Sequence, residues 1–193
     1  MKETLREKKK RQTRTKLISS ASRIFAKEGF QVPTVKIAQA AGVAHGSLFL
    51  HFPTREDLID AVIDTFFRKI NTQIHQAVAK SGTIEDFLRQ HLALLQKKEA
   101  LYTQIISNIT VLPKTTQEKL FAHQTTLSAH LLFLLEQEKQ LSAVPPHLLF
   151  NTWLGIIHYY LQNKAMFAPN ISVIERYQEE WMDGYLHLIR KGG

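Results

Sequence analysis

Residues 34–52 read TVKIAQAAGVAHGSLFLHF. Two short helical patterns flank Gly42, and their spacing decides the fold. In the first, Ile37, Ala38 and Ala41 share a face, and Ala41 is small enough for a second helix to cross closely. Gly42 can take the left-handed backbone that a turn of three or four residues requires, and Val43 fills the space between the helices. In the second, over 44–52, Leu48 and Phe52 are four apart and anchor the helix inward. His45, Ser47, Phe49, Leu50 and His51 remain outward, and Gly46 permits close backbone approach. A helix held by two residues and otherwise small or polar suits a major groove. An ordinary three-helix bundle is the competing reading, but it leaves an exposed Phe49 and Leu50 unexplained. Those side chains fit thymine methyls or sugar edges, and equally a protein interface.

Working outward, helical periodicity is nearly continuous and strand alternation is absent. An apolar face of Leu17, Ala21, Ile24 and Phe25 marks a helix over about 12–28, stopped by Gly29. Thr34 is the expected N-cap of the next. Pro53 ends the short helix before it, and Thr54 caps a long helix with Glu56 and Asp57 in its first turn. Ser81-Gly82 breaks that helix, and Thr83 caps the following one. Further helices are expected over about 99–110, 116–139 and 145–166. A last one is expected from a Ser172–Glu175 capping box to about 192. The predicted fold is all-α with about nine helices. It divides into a helix-turn-helix domain at 1–55, with a basic head, and a larger helical domain at 56–193.

Charge supports the division. The chain has 193 residues and a formal net charge of +8. Residues 1–58 hold 12 Lys/Arg against 5 Asp/Glu, whereas 59–193 hold 13 against 12. A basic module for a polyanion joined to a near-neutral module is the natural reading; a solvated, frayed tail is the plainer one. A membrane surface would want large apolar residues opposite the charges, and residues 1–16 offer only Leu5. With no Cys, disulfides, Cys-ligated zinc and thiol catalysis are excluded. No apolar run approaches the ~18 residues of a membrane span. MKETLREKKKRQTRTK lacks the apolar core of a signal peptide, so the expected location is cytoplasmic.

Residues of about 12–60 resemble the N-terminal domain of the TetR (tetracycline-repressor-like) family of bacterial transcription regulators. The carriers are FAKEGF, then TVKIAQAAGV, then GSLFLHFPTREDL. The resemblance implies phosphate contacts from Thr34 and Lys36. It implies a major-groove segment running from Ala44 through His45, Gly46, Ser47, Phe49 and Leu50 to His51. Arg55 stands where the family usually carries a phosphate-contacting Lys. Phe49 replaces the usual Tyr and has no hydroxyl to donate. His45 replaces a frequent Lys.

The remaining chain has no catalytic signature: no G-x-G-x-x-G, P-loop, G-x-S-x-G or H-E-x-x-H. None of the nine His are paired at i,i+3 or i,i+4, so no metal site is expected. No enzymatic activity and no cofactor are expected. The resemblance implies that the last two helices pair with a second copy as a homodimer, with Trp153, Ile157, Tyr160, Trp181, Tyr185 and Leu188 as candidate contacts. The plainer reading is that both helices complete the core. Phe66, Phe87, His91, Tyr102, Ile106, Phe121, Gln124, Leu127 and Trp153 are candidate walls of a pocket for a small, largely apolar effector. The expected function is a ligand-responsive repressor that binds a palindromic duplex operator and is released by that effector. The alternatives are a ligand-independent regulator or a helical interaction module on the same fold.

Overall fold

The computed structural model describes residues 4–138 and 144–190. Among them are ten α-helices and no β-strand: α1 (Leu5–Glu28), α2 (Thr34–Ala41), α3 (His45–His51), α4 (Arg55–Ser81), α5 (Ile84–Gln96), α6 (Glu99–Ser107), α7 (Lys114–Leu135), α8 (Pro146–Gln162), α9 (Lys164–Phe167) and α10 (Val173–Ile189). A 3-10 turn, Ile109–Val111, joins α6 to α7. The ends expected at 139 and 192 lie outside the described residues.

The first helix begins seven residues earlier than its apolar face suggests. Thr4 and Glu7 form a reciprocal capping box, so the basic head is helical from Leu5 onward. Gly42 sits at φ 67°, ψ 36°, and its N–H reaches the Ala38 and Gln39 carbonyls, which ends α2. Leu17, Ala21 and Phe25 of α1, Ile37 and Ala38 of α2, Leu48 of α3 and the following Phe52 are all buried. They form the small core of a three-helix unit, closed below by Leu58 and Val62 of α4.

From its Thr54–Asp57 capping box, α4 runs 27 residues into a bundle. It packs on α5 and α7, while α10 packs on α5 and α8, and α6 bridges α1 to α8. Thr34 is not an N-cap: Pro33 holds that position without a side-chain bond. Ser172 caps α10 by accepting from the Glu175 N–H, but the reciprocal partner is Glu99. The Glu99 carboxylate accepts from the Ser172 hydroxyl and from the backbone N–H groups of Val173 and Ile174. The helix expected over 145–166 is broken at Asn163, with a single turn, α9, after it.

Candidate nucleic-acid interface

The α3 helix is held from beneath by Leu48 and Phe52 alone, as the spacing requires. Its outer face carries Ala44, His45, Gly46, Phe49 and Leu50, all exposed, with Leu50 at 80% and Phe49 at 40%. Two large apolar side chains exposed on one short helix suit contact with a partner surface. Ser47 and His51 are half-buried at the sides of that face. His45 meets Phe49 edge-on at 5.1 Å. Its Nε2 lies 3.0 Å from the Thr34 hydroxyl, tying the first turn of α3 to that of α2.

The two sequence-derived phosphate contacts on α2 are thus partly engaged. Lys36 pairs with Glu28 at 2.5 Å, an exposed pair that a phosphate can outcompete because its own net worth is small. Arg55 is half-buried and already engaged. Its Nη2 donates to the backbone carbonyls of Phe30 and Val32, clamping the loop between α1 and α2 to the start of α4.

Two groups that spacing did not reveal lie beside α3. The Arg14 guanidinium stands over the Phe52 ring at 4.8 Å. The His51 imidazole is lowered from its ordinary value, first by burial and then by the charges of Lys10 and Arg14. Lys10 and Arg14 of α1 therefore stand close to the C-terminal end of α3, so part of the basic head is near the outward α3 residues. A helix-period count of α1 extended to Leu5 would have placed Lys10 and Arg14 one turn apart on that side.

The candidate effector residues lie deeper. Phe66, Phe87, His91, Tyr102, Ile106, Leu127 and Trp153 are buried together among α4 to α8. Trp153 Nε1 donates to His91 Nδ1 at 3.0 Å, and Tyr102 hydroxyl meets His158 Nε2 at 2.7 Å. Phe121 is 74% exposed and lines no enclosed space, and Gln124 is half-buried. Both border an open groove between α7 and α8. Of the candidate interface residues, Trp153, Ile157 and Tyr185 are buried within the chain's own core. Tyr160 and Trp181 close an aromatic cluster with Phe167 and Tyr177 that holds α9 against α10. Only Leu188 faces outward. Among the described residues no group of His, Asp and Glu is arranged to hold a metal ion, and no helix is long and apolar enough to cross a membrane.

Comparison with known proteins gives the same fold and the same segment. Residues 17–62 match the family model for bacterial regulatory proteins of the tetR family. The HTH-type transcriptional repressor KstR2 of Rhodococcus jostii is 35% identical over 77 residues, 37% of this chain. The match spans only 38% of KstR2's own length. The fatty acid degradation regulator FadR of Bacillus halodurans superposes with TM-score 0.75 at 18% identity, covering 97% of each chain. FadR of Bacillus subtilis, solved in complex with stearoyl-CoA, gives TM-score 0.73 at 18% identity, covering 91% of this chain and 99% of that one. At such identities the likeness extends to the fold alone.

Proposed function

We propose, from the match of residues 17–62 to the model for bacterial regulatory proteins of the tetR family, that the chain is a transcriptional regulator, a repressor, that binds duplex DNA as a homodimer and responds to a small effector. The observation that carries the reading is the outer face of α3. It is apolar and small-polar, supported from beneath by two side chains, and flanked by the helical basic head. In this reading α3 enters the major groove, Ser47 and His45 meet base edges, and Phe49 and Leu50 lie against methyl and sugar surface. Lys36 and the head of α1 hold phosphates.

An effector with a substantial apolar part is the consistent partner. FadR of Bacillus subtilis shows this fold holding stearoyl-CoA. The α4 helix is the coupling element, since its first turn abuts the DNA-binding unit and its remainder is bundle core. For release, the effector must favour the form that does not fit DNA.

The test is fluorescence anisotropy of labelled duplexes across a salt series. One duplex has random sequence and the other is selected by the full chain from a random pool. The logarithm of the binding constant should fall linearly with log salt, with a slope of about −0.9 per neutralised phosphate. Lys36→Ala should weaken both duplexes and make the slope shallower by about one. Ser47→Ala should cost about 1–3 kcal/mol on the selected site and little on the random one. Arg55→Ala serves as the contrast: it should lower thermal stability and leave the salt slope unchanged. Salt-independent affinity, or a selected site indifferent to Ser47→Ala, would overturn the groove assignment.

A further inference from the structure

Between α1, α4 and the turn that joins α5 to α6 lies a cleft of about 270 Å³. Its floor is Ile18, Val62, Phe66, Ile70, Leu94 and Leu101. None of the residues lining it is acidic, and Lys69, Lys97 and Lys98 stand at its mouth, exposed. None of these three lysines has an ion-pair partner among the described residues. The wall also carries Gln73, whose buried Oε1 has no hydrogen-bond donor, a group that an occupant's hydroxyl or amide N–H would satisfy.

The cleft does not stop at the lysines. Ser22, Lys97, Lys98 and Leu101 also border an open shelf of about 410 Å³, to which Arg23 adds positive charge, while Lys164 there is paired with Glu99. The one carboxylate on that shelf, Glu99, is already fully engaged by Lys164, by Ser172 and by the first N–H groups of α10. An apolar slot therefore opens into a cationic shelf with no free anion of its own.

We propose that this composite groove is a binding site for a soluble single-chain amphiphile with a phosphate head. The chain lies on the apolar floor and the head sits among Lys69, Lys97 and Lys98. A nucleic-acid backbone has charge but nothing to fill the floor; a neutral alcohol fills the floor and leaves the lysines with their like charges uncompensated. An occupant stands between α1 and α4, the two helices whose relative placement fixes the DNA-binding unit on the bundle. The binding claim goes beyond the regulator reading and is measured without DNA, so either can fail alone.

The experiment is isothermal calorimetry on the full chain with decyl phosphate below its micelle concentration, against decanol, inorganic phosphate and phosphatidylglycerol vesicles. Decyl phosphate should saturate one site per chain, and decanol and inorganic phosphate should each bind about tenfold more weakly or worse. The triple variant Lys69→Gln, Lys97→Gln, Lys98→Gln should weaken decyl phosphate about tenfold and leave decanol unchanged. Ile18→Trp, which fills the floor, should abolish decyl phosphate binding. Ser19→Trp, on the exposed rim, should do the same should the first variant fail to fold. Equal affinity for decanol and decyl phosphate, indifference to the lysine variant, or binding to vesicles alone overturns the proposal. A chain that binds decyl phosphate but shows no salt-dependent affinity for duplex DNA keeps this site and loses the regulator reading.

Discussion

Three histidines stand inside the bundle uncharged. Burial pushes His91 down to about 3, with the neighbouring His123 and His158 adding to the shift. Burial alone pushes His123 down to about 3 and His158 to about 4. Each is held as a neutral ring: His91 accepts from the Trp153 indole, His123 meets Asn71 at 2.5 Å and stacks on Phe67, and His158 pairs with the Tyr102 hydroxyl. An unfolded chain takes up these protons near the ordinary value of 6.5, whereas the folded chain refuses them until pH 3–4. Between those limits the unfolded state binds more protons, so stability rises with pH. The contribution is complete above pH 6.5 and drains away as pH falls, by up to ~1.4 kcal/mol per pH unit for each ring. Urea midpoints measured at pH 7.5 and pH 5 should therefore differ clearly, with the lower value at pH 5. Glu99 does not confuse the result. Burial alone would raise its carboxylate, but the Ser172, Lys164, Ile174 and Val173 donors prevail and hold it below 4.5, so its loss comes at lower pH. An unchanged midpoint would mean that these rings are wetter than their burial indicates. At this scale the sequence reveals anchors better than polar partners. Leu48 and Phe52 follow from a spacing of four. Arg55 could not, because the carbonyls it clamps belong to residues 25 and 23 positions earlier, and no local pattern links them.

At the level of single elements, helix starts and stops follow from local chemistry wherever the cap is local. Thr54, Thr83, Gly42 and Gly82 act where the sequence puts them. The start of α10 departs from that rule. Its capping box is completed by a carboxylate 73 residues upstream, and only the fold brings Glu99 there. The first helix departs in the other direction, since seven extra residues, rich in Lys and Arg and nearly free of apolar side chains, still continue it. Thr4 and Glu7 satisfy its first N–H groups, and the Glu7 carboxylate, lowered by those bonds, suits the positive end of the helix. An ordered basic helix beside α3 presents its cations at fixed spacing, which a frayed tail cannot do. Replacing Lys8, Lys9 and Lys10 together by Gln retains helix-forming residues while removing three charges. Affinity for random and selected duplex should fall alike, with a salt slope shallower by up to ~3 units and unchanged helicity by circular dichroism. Deleting residues 1–10 should match the triple change on DNA while also shortening α1. An unaltered slope in both would mean that the head projects away from the duplex.

Across the whole molecule, the question is what covers the outward faces of α8 and α10. The apolar excess of these helices, read from sequence, is largely absorbed within the chain: Trp153, Ile157 and Tyr185 serve its own core. What remains outside is a narrower strip. Leu148, Tyr159 and Leu188 are exposed, and Gly155 and Gly184 lie beside them with open space where a side chain would be. Glycine within a helix costs about 1 kcal/mol relative to alanine, and close approach of another helix is the usual return. In the homodimer reading, α8 and α10 of two copies cross at these glycines, which sets two α3 helices on one side of the assembly. They must enter successive major grooves ~34–36 Å apart, or a multiple of that, so the selected DNA should be palindromic. Wild-type chain should sediment at twice its 22.2 kDa mass at micromolar concentration. Gly155→Arg and Leu188→Glu, both on the surface, should sediment at 22.2 kDa with thermal stability retained, because each places a charge in the interface and in water otherwise. Trp181→Glu is not equivalent. That side chain is buried against Tyr160 and Tyr177, so its loss should unfold the subunit rather than separate two folded ones. A monomeric variant should still bind one half-site with its ordinary salt slope while losing the advantage of the full palindrome. A folded wild-type monomer would assign the glycine strip to a different partner and leave each α3 helix to read DNA alone.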